Sequence, residues 1–356
     1  MTEQAGILSI KDLLASRFTS AAQFGLDTIN KTLQADVDYF NSQVVEQVGS
    51  LAEMTSDRQR IYGTSAAISM VEVDEFGLAR SKKNLVGGSV AAPLRKFESV
   101  LAWTNDYLKV ASPAELVETY LKARKGYSMS IIKQVKKAIF NKDNYSYTDQ
   151  FVDNVALGIK RLVNADGAVI PDSPAGATFD GATHTHYFGT TGTGVANADI
   201  DFQVAHLTEH GHTNAVKLVI ALADASAIKA LTGFVTLGDG GIVYGNSDTT
   251  ARKLDFSDLE NQLIGYWRNS SVEVWVKPWG TANYSFVYSE GAGEKPLIYR
   301  VRPQTALQGF RIAAQFDSHP LVAQVAQAEF GFGAWNRTNG VAMKLSATTW
   351  SNPVIT

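Results

Sequence analysis

Apolar residues recur at helical spacing over one long stretch, residues 112–142. The repeat begins at Leu116 and continues to Ile139 with steps of three and four residues. Ser112 and Glu115, three residues apart, predict a capping box at its start. The pattern therefore predicts a helix about 42 Å long, which we call the spine helix.

The first 58 residues carry two narrower amphipathic patterns. Ser9 and Asp12 begin the first helix, while Asp27 begins the second and Gly49 ends it. Each helix has a single apolar stripe and must therefore pack on another surface. Two alternatives remain open, a helical subdomain of the same chain and an arm that docks on a neighbouring subunit.

Residues 59–103 change to a strand-like pattern. A strand near 68–73 and a returning strand over 89–103, interrupted by Pro93, predict a long two-stranded excursion with a basic tip at 80–84. Such a ribbon has little core of its own. It therefore predicts a partner surface outside its own domain, with an ordinary surface hairpin as the alternative.

The region from 143 to 312 has a mixed α/β pattern. Its predicted helices cover residues 147–163, 199–210 and 224–231. Its predicted strands cover residues 216–222, 272–277, 284–288, 297–302 and 309–316. Two further strand-like runs flank residues 336–340, where Asn-Gly is a turn signal. The whole pattern predicts an α+β fold.

Composition excludes several classes of protein. With 45% hydrophobic and 19% charged residues, a chain of 356 residues buries a sizeable core and is not intrinsically disordered. A net charge of −3 gives no overall attraction to nucleic acid. The absence of cysteine excludes disulfides, thiol catalysis and cysteine-ligated metals.

Neither a secretory signal nor a membrane span is indicated. The N-terminus has acidic Glu3 and lacks a basic segment before an apolar run. The most apolar long window, residues 216–235, is interrupted by Lys217 and Asp224. The sequence thus predicts a soluble protein made in a cytoplasm, with no membrane partner.

Five of the six histidines lie between His184 and His212, which raises the question of a metal site. His206 and His210 are four residues apart and share one face of the predicted helix. Their order with Glu209 is not that of H-E-x-x-H. We therefore interpret the histidines as surface and loop residues and predict no metal site. A histidine-ligated metalloenzyme, whose metal is lost on His206→Ala or His210→Ala, is an alternative.

No catalytic or cofactor motif is found. The glycine-rich segment 189–194 lacks the G-K-[ST] ending of a phosphate-binding loop, and 238–241 is better interpreted as a tight turn. No G-x-S-x-G nucleophile elbow is present. The sequence predicts no catalytic residues, no cofactor and no enzymatic activity.

The order of these parts resembles the major capsid proteins of tailed bacteriophages, which have the Hong Kong 97-type fold. The closing segments PLIYRVRPQTALQGFRIAAQFDSHPLV and AEFGFGAWNRTNGVAMKL carry most of the resemblance. It implies an N-arm at residues 1–58, an extended loop at 59–103 and an axial domain at 145–312. The peripheral domain, with the spine helix, then comprises 104–144 and 313–356.

The resemblance implies a structural protein whose copies form hexamers and pentamers of an icosahedral shell around double-stranded DNA. The shell is the virion capsid, assembled in the host cytoplasm, and portal, scaffold or decoration proteins are further partners of such shells. The basic residues expected at inter-subunit loop contacts are Arg80, Lys82, Lys83 and Arg95. The basic residues expected to face DNA are Lys133, Lys136 and Lys137. An encapsulin-type nanocompartment shell is the first alternative.

Overall fold

The computed structural model describes residues 8–63, 70, 72–77, 86–236, 261–268 and 272–355. Its helices are α1 (Ile10–Ala15), α2 (Ala21–Phe24), α3 (Leu26–Gly49), α4 (Asn105–Val110), α5 (Pro113–Phe140), α6 (Asn197–Thr208) and α7 (Ala225–Lys229). Its first eight strands are β1 (Ala52–Thr55), β2 (Gln59–Gly63), β3 (Val86–Ala91), β4 (Arg95–Thr104), β5 (Tyr145–Thr148), β6 (Ala156–Ile159), β7 (Tyr187–Gly189) and β8 (Val216–Ile220). The remaining strands are β9 (Phe234–Thr236), β10 (Gln262–Trp267), β11 (Val272–Val276), β12 (Tyr284–Ser289), β13 (Leu297–Val301), β14 (Phe310–Ser318), β15 (Leu321–Ala334) and β16 (Val341–Lys344).

The N-terminal helices pack on the core of their own chain. Ser9 and Asp12 begin α1 as predicted, and they form a capping box: the Asp12 N–H donates to Ser9 Oγ and the Ser9 N–H donates to the Asp12 carboxylate. Leu13 of α1 and Leu33 of α3 are buried in the same apolar cluster as the spine helix. Of the two alternatives for this region, these contacts favour a helical subdomain of the same chain.

The spine helix is α5, and its bounds agree with the predicted pattern. Its predicted capping box is wrong, because the Ser112 side chain makes no capping hydrogen bond. Glu115 instead accepts a hydrogen bond from the Tyr107 hydroxyl of α4 at 2.9 Å. Within the described residues, neither this helix nor any other is long and apolar enough to cross a membrane.

Two sheets organise the chain. The five-stranded sheet has the order β1-β13-β15-β14, with β4 paired to β15. The seven-stranded sheet has the order β7-β16-β12-β8-β11-β10-β9. The buried hydroxyls of Tyr127 on α5 and Tyr299 on β13 lie 3.0 Å apart, which fixes the spine helix to the five-stranded sheet. Ile200 and Leu207 of α6 pack in the apolar core of the seven-stranded sheet.

The helix predicted over 147–163 is wrong. This segment forms the antiparallel pair β5 and β6, in register from Tyr145↔Ile159 to Thr148↔Ala156. Leu157 and Ile159 are buried and alternate with exposed neighbours, as in a half-buried strand. The intervening turn contains Asn154 with a φ of 57°, a left-handed conformation that interrupts a right-handed helix.

The two sheets divide the chain differently from the predicted domains. β13 lies within the predicted axial range, yet it pairs with β15 in the five-stranded sheet. β16 lies within the predicted peripheral range, yet it pairs with β12 and β7 in the seven-stranded sheet. The chain therefore crosses between the sheets before β13 and again between β15 and β16.

The predicted turn at 336–340 is present, and it joins the two sheets rather than a hairpin. Arg337, which is 6% exposed, holds it in place. The Arg337 Nε donates to the Arg161 carbonyl at 2.7 Å, and its Nη2 donates to Asn164 Oδ1 at 2.9 Å. The same Nη2 lies 3.1 Å from a carboxylate oxygen of Asp166.

The Asp166 carboxylate is expected to stabilise this connection in a pH-dependent manner. Burial raises its pKa, but Arg337 and Lys160 lower the pKa by more than burial raises it. The resulting pKa is about 2, below the usual value of 3.8. A lowered pKa in the folded state gives stability that is complete above pH about 4 and is lost as the pH falls towards 2. In urea unfolding, Asp166→Asn should cost on the order of 1–2 kcal/mol at pH 6, and the cost should shrink steadily on acidification. A cost independent of pH would contradict this assignment.

Candidate functional site

The two-stranded ribbon formed by β2 and β3 is fixed at its base. Arg58 pairs with Asp153 at 2.5 Å, and the Arg60 guanidinium lies 4.6 Å from the ring centre of Trp335. The Tyr62 hydroxyl donates to the Val169 carbonyl at 3.1 Å. In the segment between the two strands, the Phe76 side chain is 88% exposed. A single copy of the chain therefore anchors the ribbon and leaves Phe76, between its two strands, exposed.

The four predicted inter-subunit contacts fall in different places. Arg80, Lys82 and Lys83 lie outside the described residues. Arg95 lies on β4, in the five-stranded sheet rather than on the ribbon. Its guanidinium is 5.0 Å from the ring centre of Tyr147, a contact within its own chain. The structure therefore does not bring Arg95 together with the ribbon.

Arg95 belongs instead to a group of positive charges around the C-terminal half of the spine helix. Burial lowers the pKa of Lys137, and the neighbouring charges of Lys133, Arg95 and Arg161 lower it further. Among the described carboxylates, none lies within 4.0 Å of the Lys133, Lys137 or Arg95 charge. Lys136 is half-buried on the same helix. We call Arg95, Lys133, Lys137 and Arg161 the basic cluster.

Arg161 was not identified from the sequence. It is 5% exposed, and its guanidinium lies 4.9 Å from the ring centre of Tyr145. Because residues 147–163 were predicted as a helix, the sequence did not predict that this segment folds back towards the end of α5. The alternating pattern of Ala156–Ile159 was the available signal for that return.

One face of the five-stranded sheet is uncovered and apolar. In the strand register, Phe316 lies opposite Ala323, and Ala323 lies opposite Ala102. Two residues along β15 from Ala323, Val325 lies opposite Val100. Directly opposed residues share a face, as do residues two apart on one strand. Val100 is 63% exposed and Phe316 is 58% exposed, so we call this surface the outer sheet face.

Three histidines meet at the edge of the seven-stranded sheet. His186 immediately precedes β7, His184 lies two residues earlier, and His210 follows the end of α6. The Nε2 atoms of His184 and His186 lie 3.2 Å apart, and each lies 3.1 Å from His210 Nε2. A carboxylate oxygen of Glu209 is 3.4 Å from His184 Nε2 and 3.8 Å from His210 Nε2. We call these four residues the histidine cluster.

The surroundings of the three clustered histidines favour their uncharged form. His186 is fully buried, and the Phe179 ring lies 4.2 Å from the His210 ring. Burial lowers the pKa of His210 to about 3 and holds the pKa of His186 well below its usual value. The His184 pKa is lowered by burial and by His206. The three imidazoles are therefore uncharged near neutral pH.

The pair His206 and His210, singled out by helical spacing, does not form the cluster. His206 Nδ1 lies 3.2 Å from the Phe202 carbonyl, within hydrogen-bonding distance, and the His206 ring packs 4.7 Å from the Phe188 ring. Only His210 of that pair reaches the other ligating atoms. His184 and His186 supply the rest, and their spacing of two is the sequence signal for side chains on one face of an extended segment.

Neither a protein-family model nor a curated protein matches this chain. Among solved structures, 99% of the chain is similar to 96% of a chain from Mycobacterium phage Patience, with a TM-score of 0.65 and 19% sequence identity. The capsid of a native GTA particle is also similar (TM-score 0.45, 13% identity, 85% of this chain and 90% of that chain). A chain from Gordonia phage Cozz is similar as well (TM-score 0.45, 13% identity, 84% of this chain and 86% of that chain).

The similarity to the Mycobacterium phage Patience structure shows the fold along almost the whole chain. The α+β fold predicted from the sequence is confirmed, and the spine helix lies where the sequence pattern predicted it. The chain has the fold of a phage protein, as its resemblance to the Hong Kong 97-type fold implied.

Proposed function

We propose that this chain is a major capsid protein of a tailed bacteriophage, and that many copies assemble into an icosahedral shell. The observation that carries the proposal is the full-length agreement in fold with a phage structure, at a TM-score of 0.65. The role is structural rather than enzymatic, and the place of the protein is the virion capsid. Assembly in the host cytoplasm is part of the same proposal.

Surfaces that a single copy leaves exposed support self-assembly. The outer sheet face exposes Val100, Phe316 and Leu321, of which Leu321 is 51% exposed. Phe76, in the segment between β2 and β3, is also exposed. Contiguous exposed apolar surface marks sites of protein association. In a shell, neighbouring copies of the same chain bury both surfaces, and hexamers and pentamers are the expected units.

The proposed domains follow the sheets. The N-terminal helical segment comes before β1, which joins the five-stranded sheet, and the extended loop lies within 59–103. The peripheral domain contains α5 and the five-stranded sheet, and the axial domain contains the seven-stranded sheet. This assignment moves β13 to the peripheral domain and β16 to the axial domain.

Size analysis of the purified, untagged chain tests the proposed function. Light scattering behind a sizing column should reveal particles of many copies rather than the 38.5 kDa monomer. Mass spectrometry of the same particles identifies what they enclose. A co-purifying enzyme cargo would support the encapsulin-type alternative and contradict a genome-enclosing shell.

The basic cluster supports an inner surface that faces packaged double-stranded DNA. Lys133 and Lys137 lie on one helix near Arg95 and the buried Arg161, and these neighbouring positive charges lower the pKa of Lys137. Phosphate contacts of this kind are independent of sequence and sensitive to salt. Portal, scaffold and decoration proteins remain further proposed partners.

Replacing Lys133, Lys136 and Lys137 together by glutamine should weaken DNA binding without preventing assembly. If all three contact phosphates, the slope of log K against log salt should fall in magnitude by about 2.7. Fluorescence anisotropy with duplexes of unrelated sequence measures this slope. The control replaces Lys109, Lys229 and Lys344, which removes the same charge elsewhere. An equal loss in both triple variants would contradict a local DNA-facing surface.

A further inference from the structure

The histidine cluster is a set of ligating atoms without a consistent hydrogen-bond pattern. His186 Nδ1 lies 2.8 Å from the Gly340 carbonyl, which can only accept, so this nitrogen carries the proton and Nε2 holds a lone pair. The other two Nε2 atoms contact it and each other at 3.1 Å. A neutral imidazole nitrogen is either a donor or an acceptor. Among three nitrogens that all contact one another, at least two are donors or at least two are acceptors. The contact between two nitrogens of the same kind is repulsive.

A cation at the centre resolves this conflict. Zn²⁺ binds imidazole nitrogen at about 2.0–2.1 Å, so the nitrogens of a tetrahedral site lie about 3.3 Å apart. The observed separations of 3.1 to 3.2 Å are close to that value. Glu209 Oε1 is buried, has no hydrogen-bond partner among the described residues and lies beside two of the three nitrogens. It is in position to be the fourth ligand.

The contacts around the ligands are those of a metal site. The hydrogen bond from His186 Nδ1 to Gly340 fixes the ring so that Nε2 faces the other ligands. Phe179 packs against the His184 and His210 rings, 4.9 Å and 4.2 Å away. A cleft of about 540 Å³ between the ribbon base and the 335–338 turn reaches His210, which provides a path for the ion.

We propose that His184, His186, His210 and Glu209 bind one Zn²⁺ ion in a closed structural site. Four protein ligands leave no open position for a substrate, which distinguishes this site from the metalloenzyme alternative. The ion joins the loop before β7 to the end of α6. Through Gly340, it also supports the connection between the two sheets. The proposal is independent of the capsid function.

Metal content and thermal stability of the full-length, untagged chain test the proposal. After purification with zinc and without chelator, mass spectrometry should find about one zinc per chain. Removing the zinc with EDTA should lower the Tm by roughly 5 °C or more, and adding Zn²⁺ back should restore it. The proposal would be overturned if the chain retained less than about a tenth of an equivalent of zinc and its Tm did not change on adding or removing zinc.

Variants assign the ligands. His184→Ala and Glu209→Gln should both weaken zinc binding. Loss of a group that only hydrogen-bonds to a ligand lowers metal affinity roughly 10–100-fold, and His184→Ala should lower it by more than that. Glu209→Gln retains the shape of the side chain, so it also separates ligation from folding. The matched control is His206→Ala, in the last turn of α6 and outside the cluster, which should retain the zinc. Loss of zinc from His206→Ala as complete as from His184→Ala would contradict the assignment.

Discussion

Replacing Asp149 by alanine is expected to lower the free energy of unfolding by about 3–5 kcal/mol. The Asp149 carboxylate lies 2.7 Å from Arg300 Nη2, and the two side chains are 0% and 4% exposed. Arg300 Nη1 also donates to the Ala92 carbonyl at 2.8 Å. Without the carboxylate, a buried guanidinium loses its counter-charge between β13, the segment after β3 and the β5–β6 turn. Urea unfolding followed by tryptophan fluorescence measures the loss.

The matched control for this prediction is Asp153→Ala, four residues along the same turn. Asp153 pairs with Arg58, but the two side chains are 39% and 38% exposed. Exposed ion pairs contribute about 0–1 kcal/mol, so this variant should unfold close to the wild type. If both variants lose the same free energy of unfolding, burial of the Asp149–Arg300 pair does not account for its contribution to stability.

Placing a charge on the outer sheet face is expected to abolish shell formation. Phe316 is 58% exposed in one copy, so Phe316→Asp should leave the fold of the chain intact. In an interface between copies, the same carboxylate is buried without a partner, which costs several kcal/mol for every subunit. Sedimentation velocity should therefore find monomers or small oligomers in place of large particles.

Phe316→Leu is the matched control, because it retains an apolar side chain at the same position. It should assemble like the wild type, and both variants should have circular dichroism spectra of the folded chain. Normal shells formed by folded Phe316→Asp would exclude the outer sheet face as an assembly surface.

Where a sequence pattern was long and regular, it predicted the structure closely. The spine helix agrees because its apolar stripe extends over many turns and Pro113 fits the first helical position. Its predicted capping box is wrong: Ser112 makes no side-chain capping bond, and the Glu115 carboxylate accepts a hydrogen bond from the Tyr107 hydroxyl of α4. The long periodic pattern thus predicted the helix, whereas the short capping motif did not predict the hydrogen bonds at its start.

The failures lie where distant segments determine the structure. Residues 147–163 have apolar spacings that fit a helix, but Tyr145–Thr148 and Ala156–Ile159 pair as strands across a turn. Periodicity does not separate short helices from short strands when tertiary pairing decides. Similarly, helical spacing selected His206 and His210, whereas the cluster depends on a loop that returns His184 and His186 to His210.

Electron microscopy of the purified chain is the decisive test of the proposed capsid function. We expect closed icosahedral shells whose subunits form hexamers and pentamers, with the outer sheet face and the ribbon buried between neighbouring copies. A chain that remains a 38.5 kDa monomer at every concentration and under crowding would contradict it.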